Sequence, residues 1–148
     1  MKEFSILVSM LFLQACASIS PDSIIAKHSE KRQNELQGPV AINFEKALKL
    51  IPECLPYVGK SDQVHTAYGT MQTNPILSAR IFDLNGAKQL ALGNNISGGT
   101  NLFVFSPQGE NTLVTGYWKR WNKSFEQGIH NYYDVLVGKE GAVCEFKE

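Results

Sequence analysis

At 148 residues the chain is long enough for one domain, and shorter than that once processed segments are removed. Its 14 Lys+Arg balance 14 Asp+Glu, which excludes the basic excess that a phosphate-binding surface needs. With 19% charged residues and 2 Trp, 5 Tyr and 8 Phe, the composition excludes a disordered chain and is sufficient for a hydrophobic core.

The N-terminus begins with Lys2 and Glu3 and continues as an apolar run over residues 5–15, SILVSMLFLQA. A bilayer-spanning helix needs roughly 20 such residues, so the run matches the hydrophobic region of an export signal instead. It closes on Leu13-Gln14-Ala15-Cys16. That tetrad resembles the lipobox of bacterial lipoproteins. The resemblance covers residues 1–16 and implies a signal peptide over 1–15, cleavage before Cys16, a diacylglycerol thioether on the Cys16 sulfur and acylation of the new amine. Several acyl chains anchor stably where one is marginal. In the same family an Asp after the cysteine favours inner-membrane retention; Ala17 therefore points to the outer membrane, facing the periplasm, with the cell surface as the alternative. The chain from Cys16 onward keeps 13 charges of each sign and offers no excess of basic residues, so lipid alone is expected to make the membrane contact.

If Cys16 carries lipid, Cys54 and Cys144 remain as an even pair. In an oxidising compartment such a pair becomes a disulfide. A loop of about 91 residues gives roughly 4.5 kcal/mol in the chain-entropy treatment. His28, His65 and His130 are scattered and no Cys-x-x-Cys occurs, so neither a metal nor a cofactor is expected.

Residues 16–40 read as the lipidated cysteine and a flexible tether. The stretch Lys27–Gly38 has Leu36 as its one strong apolar residue, and a flexible segment of 24 residues would span roughly 25–30 Å. Residues 41–148 read as a single α+β globular domain. Phe44, Ala47, Leu48 and Ile51 recur at helical spacing behind Asn43 as N-cap, with Glu45, Lys46 and Lys49 facing away and Pro52 ending the helix at Ile51.

Beyond Tyr57 the period changes to two. Val64, Thr66, Tyr68 and Thr70 share one face of a strand over 62–72, and Leu77, Ala79 and Ile81 one face of a strand over 76–84. Asn85-Gly86 predicts a two-residue hairpin turn. That turn sets Leu84 opposite Ala87, Asp83 opposite Lys88, Ile81 opposite Leu90 and Ala79 opposite Leu92; a short helix over 87–92 is the rival reading. Residues 93–101 read as a glycine-rich loop. Strands over 102–105 and 112–118 flank a longer turn, 129–137 reads as a strand with Ile129, Tyr133, Val135 and Val137 on one face, and 142–147 as a last strand presenting Cys144 on its apolar side. The expected fold is one N-terminal helix on a five- to seven-stranded antiparallel meander sheet, with a small β-sandwich or barrel as the alternative.

No local signature supplies a nucleophile, base and orienting acid, and an enzyme is not expected. His130, Tyr132 and Asp134 form a titratable row on the expected strand and read as a solvated face. The unusual segment is residues 117–125. Tyr117, Trp118, Lys119, Arg120, Trp121 and Phe125 interleave aromatics with cations, a pattern that serves partner hot spots, sugar stacking, the lipid interface or the tryptophan-capped end of a core. The expectation is a non-enzymatic, membrane-anchored envelope protein that docks a protein partner through this corner, and binds no nucleic acid. The alternatives are a lipid-anchored inhibitor of a hydrolase and a peptidoglycan-binding module.

Overall fold

A computed structural model describes residues 19–59, 63–66, 69–72, 77–94, 98–120 and 123–144. The elements in order are α1 (Pro21–Lys27), β1 (Glu30–Leu36), α2 (Val40–Cys54), β2 (Gln63–Thr66), β3 (Gly69–Gln72), β4 (Ser78–Leu84), β5 (Ala87–Asn94), β6 (Gly98–Gln108), β7 (Asn111–Trp118) and α3 (Lys123–Leu136). The fold is α+β. Five strands form an open antiparallel sheet in the order β1-β7-β6-β5-β4, and β2 pairs with β3 as a separate ribbon. Strands β4 to β7 form a meander, whereas β1 joins its far edge. The open sheet is neither the sandwich nor the barrel.

The hairpin register follows the turn chemistry. Asn85 and Gly86 both take positive φ, 51° and 81°, as a type I′ turn requires. Leu84 pairs with Ala87, Asp83 with Lys88, Ile81 with Leu90 and Ala79 with Leu92, as the turn predicts; residues 87–92 are strand, not helix. Lys88 Nζ meets Asp83 Oδ1 at 2.7 Å. The next turn is tighter than expected: β6 and β7 run until Gln108 pairs with Asn111 across Gly109-Glu110, with Gly109 at φ 62°.

One sheet face carries the main core. Leu90, Leu92, Phe103, Phe105, Val114 and Trp118 are buried there against α2 and α3. From α2 come Phe44 and Ala47, with Leu48 and Ile51 partly buried, on the face that the helical period predicts. Glu45 and Lys49 point out and pair at 2.7 Å. The ends of α2 differ from expectation. The N-cap is Pro39, while Asn43 lies in the first turn, buried, and its amide donates to Gln37 O, Gly38 O and Thr112 Oγ1. The helix continues through Pro52 to Cys54, because proline in the last turn forfeits one hydrogen bond but the Leu55 N–H still reaches Ile51 O at 2.8 Å.

Residues 129–137, expected as a strand, belong mainly to helix α3. Ile129, Tyr132, Tyr133 and Leu136 stand at i, i+3, i+4 and i+7 and are all buried, so the 3.6-residue period prevails over the alternation that tyrosine and valine suggested. Two hydrogen bonds lock α3 to α2. The buried Tyr132 hydroxyl donates to Ala47 O at 2.9 Å, and Lys46 Nζ donates to Leu136 O at 2.9 Å, satisfying a carbonyl in the last turn of α3. Residues 142–144 are not strand. They return the chain to α2, where Cys144 is disulfide-bonded to Cys54, with Cα atoms 4.6 Å apart.

The expected strand over 62–72 is instead divided into β2 and β3, whose register pairs Val64 with Met71 and Thr66 with Gly69; Tyr68 lies outside the described residues. Among the described residues no helix is long and apolar enough to cross a membrane.

The expected tether is also corrected. Residues 21–27 form α1 and residues 30–36 form β1, an edge strand paired along its whole length with β7 from Glu30↔Trp118 to Leu36↔Thr112. Strand β1 shows no apolar alternation because ions serve it instead. Arg32 and Glu30 engage α3, while Lys31, Gln33 and Glu35 project toward the other side.

Candidate functional site

Three surfaces came into question, and burial separates them. The first is the aromatic and cationic corner at the end of β7. Trp118 is 1% exposed. Its indole lies edge-on to Phe103 and Tyr133, with centroids at 5.7 and 5.0 Å, and the Arg32 guanidinium lies 5.4 Å from its ring. Glycine at 116 is what admits it: a Cβ there would come within 2.3 Å of the indole. Trp118 is therefore core and is not a contact for a partner. Phe125 packs edge-on against Tyr57 at 4.9 Å and is half-buried. Lys119 is turned inward, donating from Nζ to Gly99 O at 2.9 Å. Tyr117 is half-buried and Arg120 exposed; Trp121 lies outside the described residues. The five described residues of this set are not gathered onto one exposed surface.

Behind Trp118 the titratable row is rearranged. On a helix, His130 and Asp134 share one face while Tyr132 points into the core. His130 Nε2 lies 3.3 Å from Glu30 Oε2, and Arg32 Nε donates to Glu30 Oε1 at 2.6 Å. Arg32 Nη1 stands 3.5 Å from Asp134 Oδ1, and Lys139 Nζ 2.8 Å from Asp134 Oδ2. Three of the four carboxylate oxygens thus stand within 3.5 Å of a cation, while His130 Nε2 makes no hydrogen bond to the fourth. The cluster clamps α3 to β1; its partly exposed pairs each contribute modestly. The Tyr133 hydroxyl completes it, donating to Asn34 Oδ1 at 3.0 Å, and burial pushes that phenol up to about 12. Burial likewise holds Tyr57 at about 12 and pushes Tyr132 further still. Among the described residues no group of three or more His, Cys, Asp or Glu side chains is placed to hold a metal.

The second surface is the other face of the sheet. Ile19 and Ile24, 2% and 0% exposed, pack on Ala91 and Leu102, with Phe82, Val104 and Tyr117 around them. The glycine-rich stretch 93–101, expected as a loop, is strand at residues 93–94 and 98–101, with a bulge after Leu92; its residues 95–97 lie outside the described residues. Its glycines make room for α1: a Cβ on Gly99 would lie 2.4 Å from Ile24, and one on Gly93 would lie 2.9 Å from Ile19 and 2.4 Å from Gly98 O. Composition alone did not reveal this role, although glycines recurring in strands do mark close approach.

The third surface is the edge strand β4. It pairs on one side with β5; among the described residues its other side has no strand neighbour, although just before it Leu77 bridges Val58 and its carbonyl accepts from the Gly59 N–H at 2.8 Å. Ile81 and Leu84 remain 51% and 57% exposed. The opposite edge, β1, carries Glu30, Lys31, Arg32 and Glu35, the charged kind of edge that resists strand pairing. Strand β4 has Arg80 and Asp83 alone in that role. The isoleucine at 81 was legible as half of an apolar pair, but not that the helices stop short of it.

No protein-family model and no curated protein matches the chain. Among solved structures it is similar to the X-ray crystal structure of protein MLL2253 from Mesorhizobium loti, at 13% identity and a TM-score of 0.35, over 73% of this chain and 94% of that one.

Proposed function

We propose that this chain is an exported, lipid-anchored domain of the bacterial envelope, facing the periplasm, that acts by docking a protein partner and not by catalysis. The observation that carries the reading is the Cys54–Cys144 disulfide. It pairs the two later cysteines, which is the chemistry of an oxidising compartment, and leaves Cys16 as the odd thiol at the end of an apolar run of signal-peptide length.

Burial of Trp118 moves the docking contact away from residues 117–125. The feature that favours docking is the β4 edge, where Ile81 and Leu84 flank a row of backbone groups suited to an added strand. The test is a photo-crosslinking residue placed at Ile81 in cells, compared with one at Glu45 on the outer side of α2. The reading expects a discrete adduct from position 81 that Leu84→Lys abolishes, and none from position 45. Equal labelling from both positions, or an adduct indifferent to Leu84→Lys, would count against docking at β4.

A further inference from the structure

We infer that the α1 side of the domain lies directly against the lipid headgroups. This rests on the lipid anchor at Cys16 proposed above and concerns what that anchor does to the folded domain. The described residues begin at Ile19. Ile19 is buried beneath the sheet against Ala91 and Leu102. From there the backbone is held continuously. Ser20 caps α1 by accepting from the Ser23 N–H at 3.3 Å, Ile24 sits over Gly99, and Ser29 N–H donates to Trp118 O at 2.7 Å where β1 begins.

Cys16 precedes Ile19 by three residues, and three residues fully extended reach at most about 11 Å. Acyl chains on Cys16 enter the hydrocarbon at the headgroup boundary, and the headgroup layer itself is roughly 5–8 Å deep on each side. A domain pinned at Ile19 therefore cannot stand off by the 25–30 Å of a flexible tether. It must turn the face bearing α1 toward the bilayer.

The side chains on that face suit an anionic headgroup layer. Lys27 and His28 are exposed at the end of α1, and His28 packs edge-on against Tyr117 at 5.1 Å. Lys31 lies 5.7 Å from the Tyr117 ring, and Ile25 is 37% exposed on α1. Asp22 on α1 and Glu35 on β1 are the acids of this side, and Glu35 accepts from Asn111 Nδ2 at 2.6 Å, while Glu30 is turned to the opposite face and engaged by Arg32. The chain is neutral as a whole, so these cations act by placement and not by excess. Phosphate headgroups attract lysine and arginine held within a Debye length of the surface.

The test uses the full lipidated protein, its Cys16 acylation established by intact mass, in vesicles of phosphatidylcholine with about 30% phosphatidylglycerol. A spin label is placed through Ile25→Cys or, on the far side of the domain, Glu45→Cys, and accessibility to a water-soluble nickel complex is read. The reference is the same protein with a flexible Gly-Ser insert of about 25 residues between Ala17 and Ser18, measured in about 0.5 M KCl, where the domain is lifted off and screened. The label at position 25 should be about threefold or more less accessible in the native spacing than in the reference, as expected for a site within the headgroup layer. The label at position 45 should not differ. Acylated protein whose position 25 is as accessible as in the reference overturns the inference and leaves the anchor standing. Protein without acyl chains on Cys16 overturns the anchor itself.

Discussion

Replacing Trp118 with alanine should unfold the domain's centre and not merely silence a surface. The indole is 1% exposed and stands edge-on to two aromatic rings at 5.0 and 5.7 Å. Burying roughly 200 Å² of side chain at about 25 cal/mol per Å² corresponds to about 5 kcal/mol of transfer free energy, an upper figure. Buried Trp→Ala changes cost about 3–5 kcal/mol in practice, a large part of the roughly 5–15 kcal/mol that a domain this size possesses. Urea denaturation should show the midpoint falling with the m-value unchanged, and the melting temperature should drop by about 10–20 °C. Gly116 sharpens the test. Alanine at 116 places its Cβ within 2.3–2.5 Å of the Trp118 ring, so Gly116→Ala should cost about 1–3 kcal/mol in the native protein and much less in the Trp118→Ala background. Loss of under about 1 kcal/mol from Trp118→Ala, or purely additive effects of the two substitutions, would refute the placement of the indole in the core.

Other consequences are equally direct. Cys54→Ala with Cys144→Ala opens a cross-link spanning a sequence separation of 90 and should lower unfolding free energy by up to about 4.5 kcal/mol; oxidised and reduced protein with superimposable urea curves would contradict it. Burial raises Tyr57 and Tyr133 to about 12. The folded state therefore keeps these protons while the unfolded state releases them near the ordinary value of about 10, and stability present below about pH 10 should be lost as pH rises toward 12. The tyrosinate absorbance of Tyr57 and Tyr133, read as the difference from the Tyr57→Phe and Tyr133→Phe variants, should rise cooperatively with unfolding in that window, whereas ionisation of these two near pH 10 in a still-folded protein would be inconsistent. Gly99→Ala should push Ile24 off the sheet, because its Cβ would lie 2.4–2.5 Å from that side chain. Amide exchange should speed up across residues 21–27 while the midpoint of global unfolding moves little, and unchanged protection of α1 would argue against the packing.

What the sequence made legible was what local chemistry dictates. Asn85-Gly86 fixes a turn and thereby four residue pairs, since few other sequences take two consecutive positive φ angles. The pairing of Cys54 with Cys144 followed from parity. The apolar face of α2 followed from its period, but its ends did not, because proline at 39 and 52 is judged by hydrogen bonds that only the fold reveals. Strand β1 was invisible because an edge strand whose side chains meet ions on one face and water on the other needs no apolar alternation. Helix α3 was misread because Tyr132, Tyr133, Val135 and Val137 favour strands locally, and only packing on the sheet decides for the i, i+3, i+4, i+7 set. Trp118 among cations has the composition of a binding hot spot and of a capped core alike; the absence of a side chain at 116 distinguishes them, but only once the fold shows that the face shared by 116 and 118 on β7 is the one turned to α3.

The account depends most on the fate of the three thiols. Intact-mass analysis of the protein isolated from cell envelopes, before and after reduction, tests it in one measurement. The account predicts a polypeptide beginning at Cys16 and carrying acyl mass, with no alkylation until reduction and two alkylations, at Cys54 and Cys144, afterward. An unprocessed chain with an unmodified Cys16, or free thiols at both later positions in the isolated protein, would contradict it.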